Sequence, residues 1–282
     1  MIYISSTGID SEKISCSVEI LAKNGFKNIE LSGGTNHYDQ IQDDLNDLKI
    51  NYELQFRCHN YFPPPKSHFV LNLGSDQNKI FNKSLEIIKN SMALSDDWNS
   101  KKYGFHAGFM INPKVSELGK KISYIDLTTK KKAIERFKQG LEHISSWEFA
   151  TAPYVENNVF SYANSKIYIE QNPFLLCTYD DYMELQKIVK FNLLLDVAHL
   201  KVSCATLCIP FLKELEKLLP YSNYLHLSDN DSRSDSNWAI TSSTDYLDVL
   251  RGNLKDKDVT LEIYEDLEQI KKTHDIISEL MV

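Results

Sequence analysis

Short runs of β-branched, aromatic and aliphatic residues alternate along the whole chain with longer segments whose apolar positions recur at helical spacing. The runs at 2–5 (IYIS), 28–31 (NIEL), 53–58 (ELQFRC), 103–106 (YGFH), 153–156 (PYVE), 192–196 (NLLLD), 223–226 (NYLH) and 259–263 (VTLEI) read as strands. The segments 11–25, 36–48, 77–95, 128–147, 179–190, 207–219, 243–252 and 265–280 read as amphipathic helices. In the first of these, Ser11 is the expected N-cap, Ile14, Val18, Ile20 and Leu21 form the apolar face, and Gly25 supplies the stop. Strands alternating with helices imply parallel neighbours joined by crossovers. A mean spacing of about 37 residues from strand to strand fits the repeating unit of a (β/α)8 barrel. The expected fold is therefore α/β: a single (β/α)8 TIM barrel over residues 1–282, with its active site at the C-terminal mouth of the strands.

The polar residues that end these runs sharpen that picture. In chain order the runs finish at His59, His106, Glu156, Asp196 with His199, His226 and Glu262, so six of the eight deliver an ionisable side chain to the same end. In a parallel barrel that end is the mouth, where residues remote in sequence converge. Carboxylates and imidazoles crowded together are costly to desolvate unless something binds them, and a divalent cation meets that need. Glu156, Asp196, His226 and Glu262 form a hard to borderline ligand set, suited to Mn²⁺, Zn²⁺, Co²⁺ or Mg²⁺. His59, His106, Asp229 and Asp235 could complete a second metal site or contact substrate. Connections 59–75, 107–127, 157–178 and 227–242 are too long to be simple links and are expected to build the mouth. Tyr61, Phe62, Phe105, Phe109, Tyr154, Phe160 and Trp238 are candidates to rim it, and Arg233 is a candidate for binding a phosphate or carboxylate.

Composition narrows the partners. The 282 residues carry 31 Lys+Arg against 39 Asp+Glu, a net charge of −8, which argues against a protein built to neutralise nucleic-acid phosphates. The lysine-rich segment 114–132 is a local exception. Neither a signal-peptide pattern nor an apolar run of membrane-spanning length is present, so a cytoplasmic protein without membrane contact is expected. Five cysteines without a C-x-x-C pair read as reduced core residues.

Together these residues resemble the xylose isomerase-like TIM barrels, which include sugar phosphate isomerases and epimerases, inosose dehydratases, hydroxypyruvate isomerases and the AP endonuclease family 2. The resemblance covers essentially the whole chain and rests on GFKNIEL at 25–31, Glu156, the D-x-x-H pair Asp196 and His199, His226, and Glu262 in VTLEIYE. It implies a divalent metal held by Glu156, Asp196, His226 and Glu262, a small carbohydrate substrate, and proton movement by Glu156 and Glu262 through an enediolate. His199 would hydrogen-bond a substrate oxygen, with Arg233, Tyr61 and Trp238 contacting the rest of the sugar. A homodimer is a further expectation of the resemblance. Two other chemistries of the group stay open at this point. One is a sugar or cyclitol dehydratase. The other is an endonuclease IV-like zinc phosphodiesterase acting on abasic DNA, whose D-x-H motif falls on Asp235-Ser236-Asn237 and so lacks its histidine.

Overall fold

The computed structural model describes residues 1–169 and 171–281. Its strands are β1 (Ile2–Ser5), β2 (Asn28–Leu31), β3 (Gln55–Cys58), β4 (Lys102–His106), β5 (Ala152–Glu156), β6 (Asn192–Asp196), β7 (Tyr224–Leu227) and β8 (Asp258–Leu261). They form one sheet in the order β3-β2-β1-β8-β7-β6-β5-β4, and every neighbouring pair is parallel. The two ends of this order, β3 and β4, meet through a parallel bridge between His59 and Gly104 and a 2.7 Å bond from Asn60 N to Gly104 O. A Cβ on Gly104 would lie 2.6 Å from Leu194 Cδ2 and 3.2 Å from His59 Cδ2, so the bare glycine is what lets the seam close. The barrel expected from the strand spacing is thus present, with each strand within two residues of its sequence-read position.

The helices are α1 (Ile14–Lys23), α2 (Ile41–Tyr52), α3 (Asn78–Asp97), α4 (Lys130–Ser145), the short α5 (Tyr162–Ser165), α6 (Tyr179–Ile188), α7 (Val197–Leu207), α8 (Phe211–Leu218), the short α9 (Leu247–Leu250) and α10 (Leu267–Leu280). Several expectations need correction. Ser11 does not cap α1: its hydroxyl donates to Lys13 O, and α1 begins after Lys13 without a side-chain cap. Ile14, Val18 and Leu21 are fully buried, but Ile20 is 40% exposed. Gly25, at φ 91°, does end the helix. Helix α7 has no counterpart in the sequence reading because VAHLKVSCATL is buried on nearly every side and so lacks a polar face to mark the period. Cysteines 58, 177 and 204 are core residues, whereas Cys16 and Cys208 are exposed; all five are free thiols.

Strand alternation sorts side chains between the helix layer and the barrel interior. Arg57 of β3 reaches Asp258 of β8 at 2.6 Å and lies over the rings of Tyr3 and Tyr224, contacts that only residues pointing inward can make. Two positions further along the same chains, His59 and His226 point into the next layer up, with their rings 4.7 Å apart. Outside the barrel a second apolar cluster, including Val70, Phe109, Ile122, Phe160 and Phe174, is built entirely from the long loops and fixes one wall of the mouth.

Candidate metal centre at the barrel mouth

Glu156, Asp196, His226 and Glu262 come from the ends of β5, β6 and β7 and from the residue just past β8, and each offers a ligand atom within 4.8 Å of the others'. The register sets the ligands in two steps: His106 is opposite Glu156 and Asp196 opposite His226, whereas Glu156 is opposite Leu194 and His226 opposite Thr260, so Asp196 and Glu262 each lie two residues further along than the ligand on the preceding strand. Glu156 and His226 are fully buried, and Asp196 is nearly so.

Each side chain is held by a local device. Asp196 is the N-cap of α7, and its Oδ1 accepts from His199 N at 2.7 Å, leaving Oδ2 to face the cluster. The D-x-x-H spacing therefore puts His199 in the first turn of the helix that Asp196 starts. His199 Nδ1 lies 2.9 Å from the carbonyl of Asn157, which fixes the ring as an Nδ1–H donor and turns Nε2 to Asp235 Oδ2 at 3.2 Å. Glu156 Oε2 accepts from His59 Nε2 at 2.8 Å, and His106 Nδ1 is 3.3 Å from the same oxygen. Glu262 receives the Tyr264 hydroxyl on Oε1 at 2.9 Å, and its Oε2 lies 3.2 Å from His226 Nδ1.

The electrostatics are those of an acid-rich pocket balanced only by imidazoles. Burial opposes ionisation of Glu156, but His106, His59 and His226 outweigh it and hold the carboxyl well below the usual range. Asp196 goes the other way, pushed up to about 7 chiefly by burial. His199 is also buried, but Asp196 and Asp235 raise its pKa well above the ordinary imidazole value. Among the described residues, no lysine or arginine forms an ion pair with Glu156, Asp196 or Glu262. Glu156 Oε1, His106 Nδ1 and Asp235 Oδ1 are buried without a hydrogen-bond partner. Unsatisfied donors and acceptors around three converging carboxylates fit a divalent cation with oxygen and nitrogen ligands.

A cavity of about 540 Å³ opens above the cluster, within the range of small-molecule sites, roughly 300–1,000 Å³. His59, His106, His199, Arg233 and Asp235 line it, as the sequence anticipated, and so does Tyr61. The Tyr61 ring rests on Gly33, where a Cβ would meet it at 2.2 Å. Two candidates are corrected. Asp229 is turned away: its carboxylate takes Lys201 Nζ at 2.7 Å and the Thr244 hydroxyl at 2.8 Å. Trp238 is 46% exposed and bonded to Asp229 only through backbone, outside the cavity lining. Of the other aromatics, Phe109 reaches the cavity, whereas Phe62 and Phe105 are fully buried and Phe160 lies in the loop core. Tyr154 sits deeper in the barrel, with Leu194 and Tyr224.

Glu30 is the residue that the sequence reading passed over. It is wholly buried on β2; its Oε1 lies 2.8 Å from His226 Nε2, and its Oε2 takes the hydroxyls of Tyr224 and Thr260, the latter at 2.6 Å. The neighbouring imidazoles and Arg57 overcome its burial and lower its pKa to about 2. A charge in the middle of the apolar run NIEL was its only signal.

Solved structures share this architecture. A D-tagatose 3-epimerase-like protein superposes with a TM-score of 0.73 at 17% identity, covering 99% of this chain and 96% of that one. An L-ribulose 3-epimerase gives 0.65 at 15%, covering 97% and 86%, and a 3-keto-D-glucoside 4-epimerase from E. coli gives 0.66 at 11%, covering 99% and 98%. No family model matches the sequence, and neither does any curated protein. The resemblance drawn from the strand ends is borne out at the level of the fold.

Proposed function

We propose that this chain is a divalent-metal-dependent isomerase or epimerase of a small sugar. The observation that carries the reading is the placement of Glu156, Asp196, His226 and Glu262 on adjacent strand ends at the floor of a sugar-sized cavity. The epimerase fold of the similar structures supports it by analogy. Those four residues would hold the ion, which when bound supplies positive charge to a substrate carbonyl and its neighbouring hydroxyl. Glu156 and Glu262 then act as base and acid at the carbon between or beside those oxygens, one removing the proton to give an enediolate and the other returning a proton. Return to the opposite face inverts the centre, and return to the neighbouring carbon interconverts aldose and ketose. Tyr264 orients Glu262 and His59 orients Glu156, so each carboxylate keeps one oxygen for the cluster. His199, whose Nε2 meets Asp235 at the cavity lining, would bond a substrate oxygen from there.

A second reading, a multinuclear phosphoesterase, draws on the group His106, Glu156 and His199, which could hold another ion. Asn237 speaks against it: at the position where that chemistry takes a histidine ligand, its Oδ1 is buried and bonded to the Ser228 hydroxyl. Metal analysis of the purified protein separates the two. About one metal ion per chain, lost in Glu262→Gln and kept in His59→Ala, together with ketose turnover and uptake of solvent deuterium at the reacting carbon, is the expected result. Two or three zinc ions, reduced by His59→Ala, would favour the phosphoesterase; absence of metal under every loading condition would sink both.

A further inference from the structure

Beyond the strand ladder, a side chain ties β5 to β6 beside the carboxylate cluster. Asp196 is opposite His226 on its β7 side, but on its β5 side the last pair is Glu156 with Leu194, two residues short of it. Asn157, the residue after Glu156, fills that gap. Its Oδ1 accepts from Asp196 N at 2.8 Å, and its Nδ2 donates to Asp196 O at 2.9 Å. The carbonyl of the same residue holds His199 Nδ1 at 2.9 Å. Asn157 is 2% exposed and stands outside the cavity lining, which takes in Glu156 and Asn158 on either side of it. Asn158 uses its amide differently, donating to Gly108 O and Leu175 O at 2.9 and 2.7 Å and so fastening the long loops.

The two bonds to Asp196 need an acceptor on one branch of the side chain and a donor on the other, which a carboxamide supplies and a carboxylate or an alkyl group does not. They fall where the chain turns from β6 into α7. Asp196 caps that helix with Oδ1 and turns Oδ2 to the cluster, so the direction of Oδ2 depends on where this stretch of backbone is pinned. We propose that Asn157 is a positioning residue of the metal centre: its amide pins the backbone of Asp196 and its carbonyl pins the ring of His199, and together they set the direction from which Asp196 Oδ2 faces the cluster. The inference rests on the metal site proposed above and not on the sugar reaction. Asn157 acts only through the residues it holds, so its role is read in metal affinity and ligand geometry.

The test is titration of the metal-free chain with Co²⁺, whose visible absorption reports ligand geometry, in the wild type, in the isosteric Asn157→Asp and in Asn157→Ala, with urea unfolding and circular dichroism as controls. Asn157→Asp keeps the shape and the bond from Asp196 N but sets a carboxylate oxygen against Asp196 O. The Co²⁺ dissociation constant should rise about 10- to 100-fold in both variants, more in Asn157→Asp, and the visible bands should shift in position and intensity. Unchanged bands, or an affinity within about twofold of the wild type, would make the asparagine merely structural and overturn the role, whatever the loss of stability. If the wild type binds no Co²⁺, the metal reading itself falls and this role with it. If neither variant folds, NMR of the wild type decides: the Asn157 side-chain amide protons should exchange slowly with solvent, and fast exchange would remove the clamp.

Discussion

Two layers of ionisable side chains are stacked inside this barrel, and they are compensated in different ways. In the lower layer Arg57 meets Asp258 at 2.6 Å, Lys102 stands 3.1 Å from the same carboxylate, and the guanidinium lies 4.0 and 4.3 Å from the ring centres of Tyr3 and Tyr224. Anion and cation are both supplied by the chain. In the upper layer Glu156, Asp196 and Glu262 converge with imidazoles alone, and several buried polar atoms lack partners. A layer that carries its own counterions contributes to folding. One that leaves them out is arranged for a ligand, and its stability is spent on binding.

The sharpest way to break the contrast is to remove a charge from each layer. Glu156→Gln should cost roughly 10²- to 10⁴-fold in turnover, the range of a lost general acid or base. The carboxylate whose charge opposes folding is Asp196, pushed up to about 7 chiefly by burial, so metal-free Asp196→Asn, which keeps an N-cap, should melt at or above the wild-type temperature near neutral pH; a clearly lower melting point would mean that the upper layer is structural after all. Arg57→Met should behave in the opposite way, costing about 1–3 kcal/mol in urea unfolding because the partly buried Asp258 loses its closest charged partner and keeps only Lys102 and the N-terminal ammonium. Its pH dependence carries a sign. Burial raises the Asp258 pKa, but Arg57 and Lys102 outweigh it and leave the carboxyl below its ordinary value. A depressed folded-state pKa gives stability that is present above the unfolded-state value, about 4, and is lost as pH falls through the folded one. The wild-type advantage over Arg57→Met should therefore shrink in acid. An advantage constant down to pH 2 would remove the pair from the account.

The upper layer was largely legible in the sequence because its residues end apolar runs, where the hydrophobic pattern breaks abruptly at Glu156, Asp196 and His226. The lower layer was not, because Arg57 and Asp258 sit within or at the start of runs and look like solvent-facing positions of a half-buried strand. Only the inward alternation of a closed barrel, Arg57 with His59 and Tyr224 with His226, assigns them to the interior. The uniformly apolar α7 hid its period for a related reason. Asp229 and Trp238 were misplaced by a different cause: the loop after β7 has no periodicity, and whether its side chains turn to the cavity or to Lys201 depends on tertiary contacts.

Glu30 joins the layers, with one oxygen toward His226 and the other held by Tyr224 and Thr260. Carboxylates behind a metal-binding histidine set its orientation and basicity, and their loss typically costs about 10- to 100-fold in metal affinity. Glu30→Gln keeps the shape and removes the charge, so the metal dissociation constant should rise within that range, read by competition with a chelating dye. Glu30→Asp should fail similarly, since the shorter side chain cannot span both contacts. Unchanged affinity in both variants would place Glu30 wholly with the lower, structural layer.

The smallest effect is expected at the outer edge of the upper layer, where Tyr61 and Trp238 separate two kinds of aromatic. Tyr61 is packed on Gly33 and faces the cavity. Trp238 gives its backbone to Asp229 and its ring to solvent. Trp238→Ala should leave turnover within about twofold and stability within about 0.5 kcal/mol, as for an ordinary surface position. Tyr61→Ala removes a wall of the site and should raise KM for the sugar more than it lowers kcat, because a stacking face binds ground state and transition state alike. A large KM effect at Trp238 would instead require the loop after β7 to swing its ring over the cavity when substrate is bound, and would extend the functional layer beyond the strand ends.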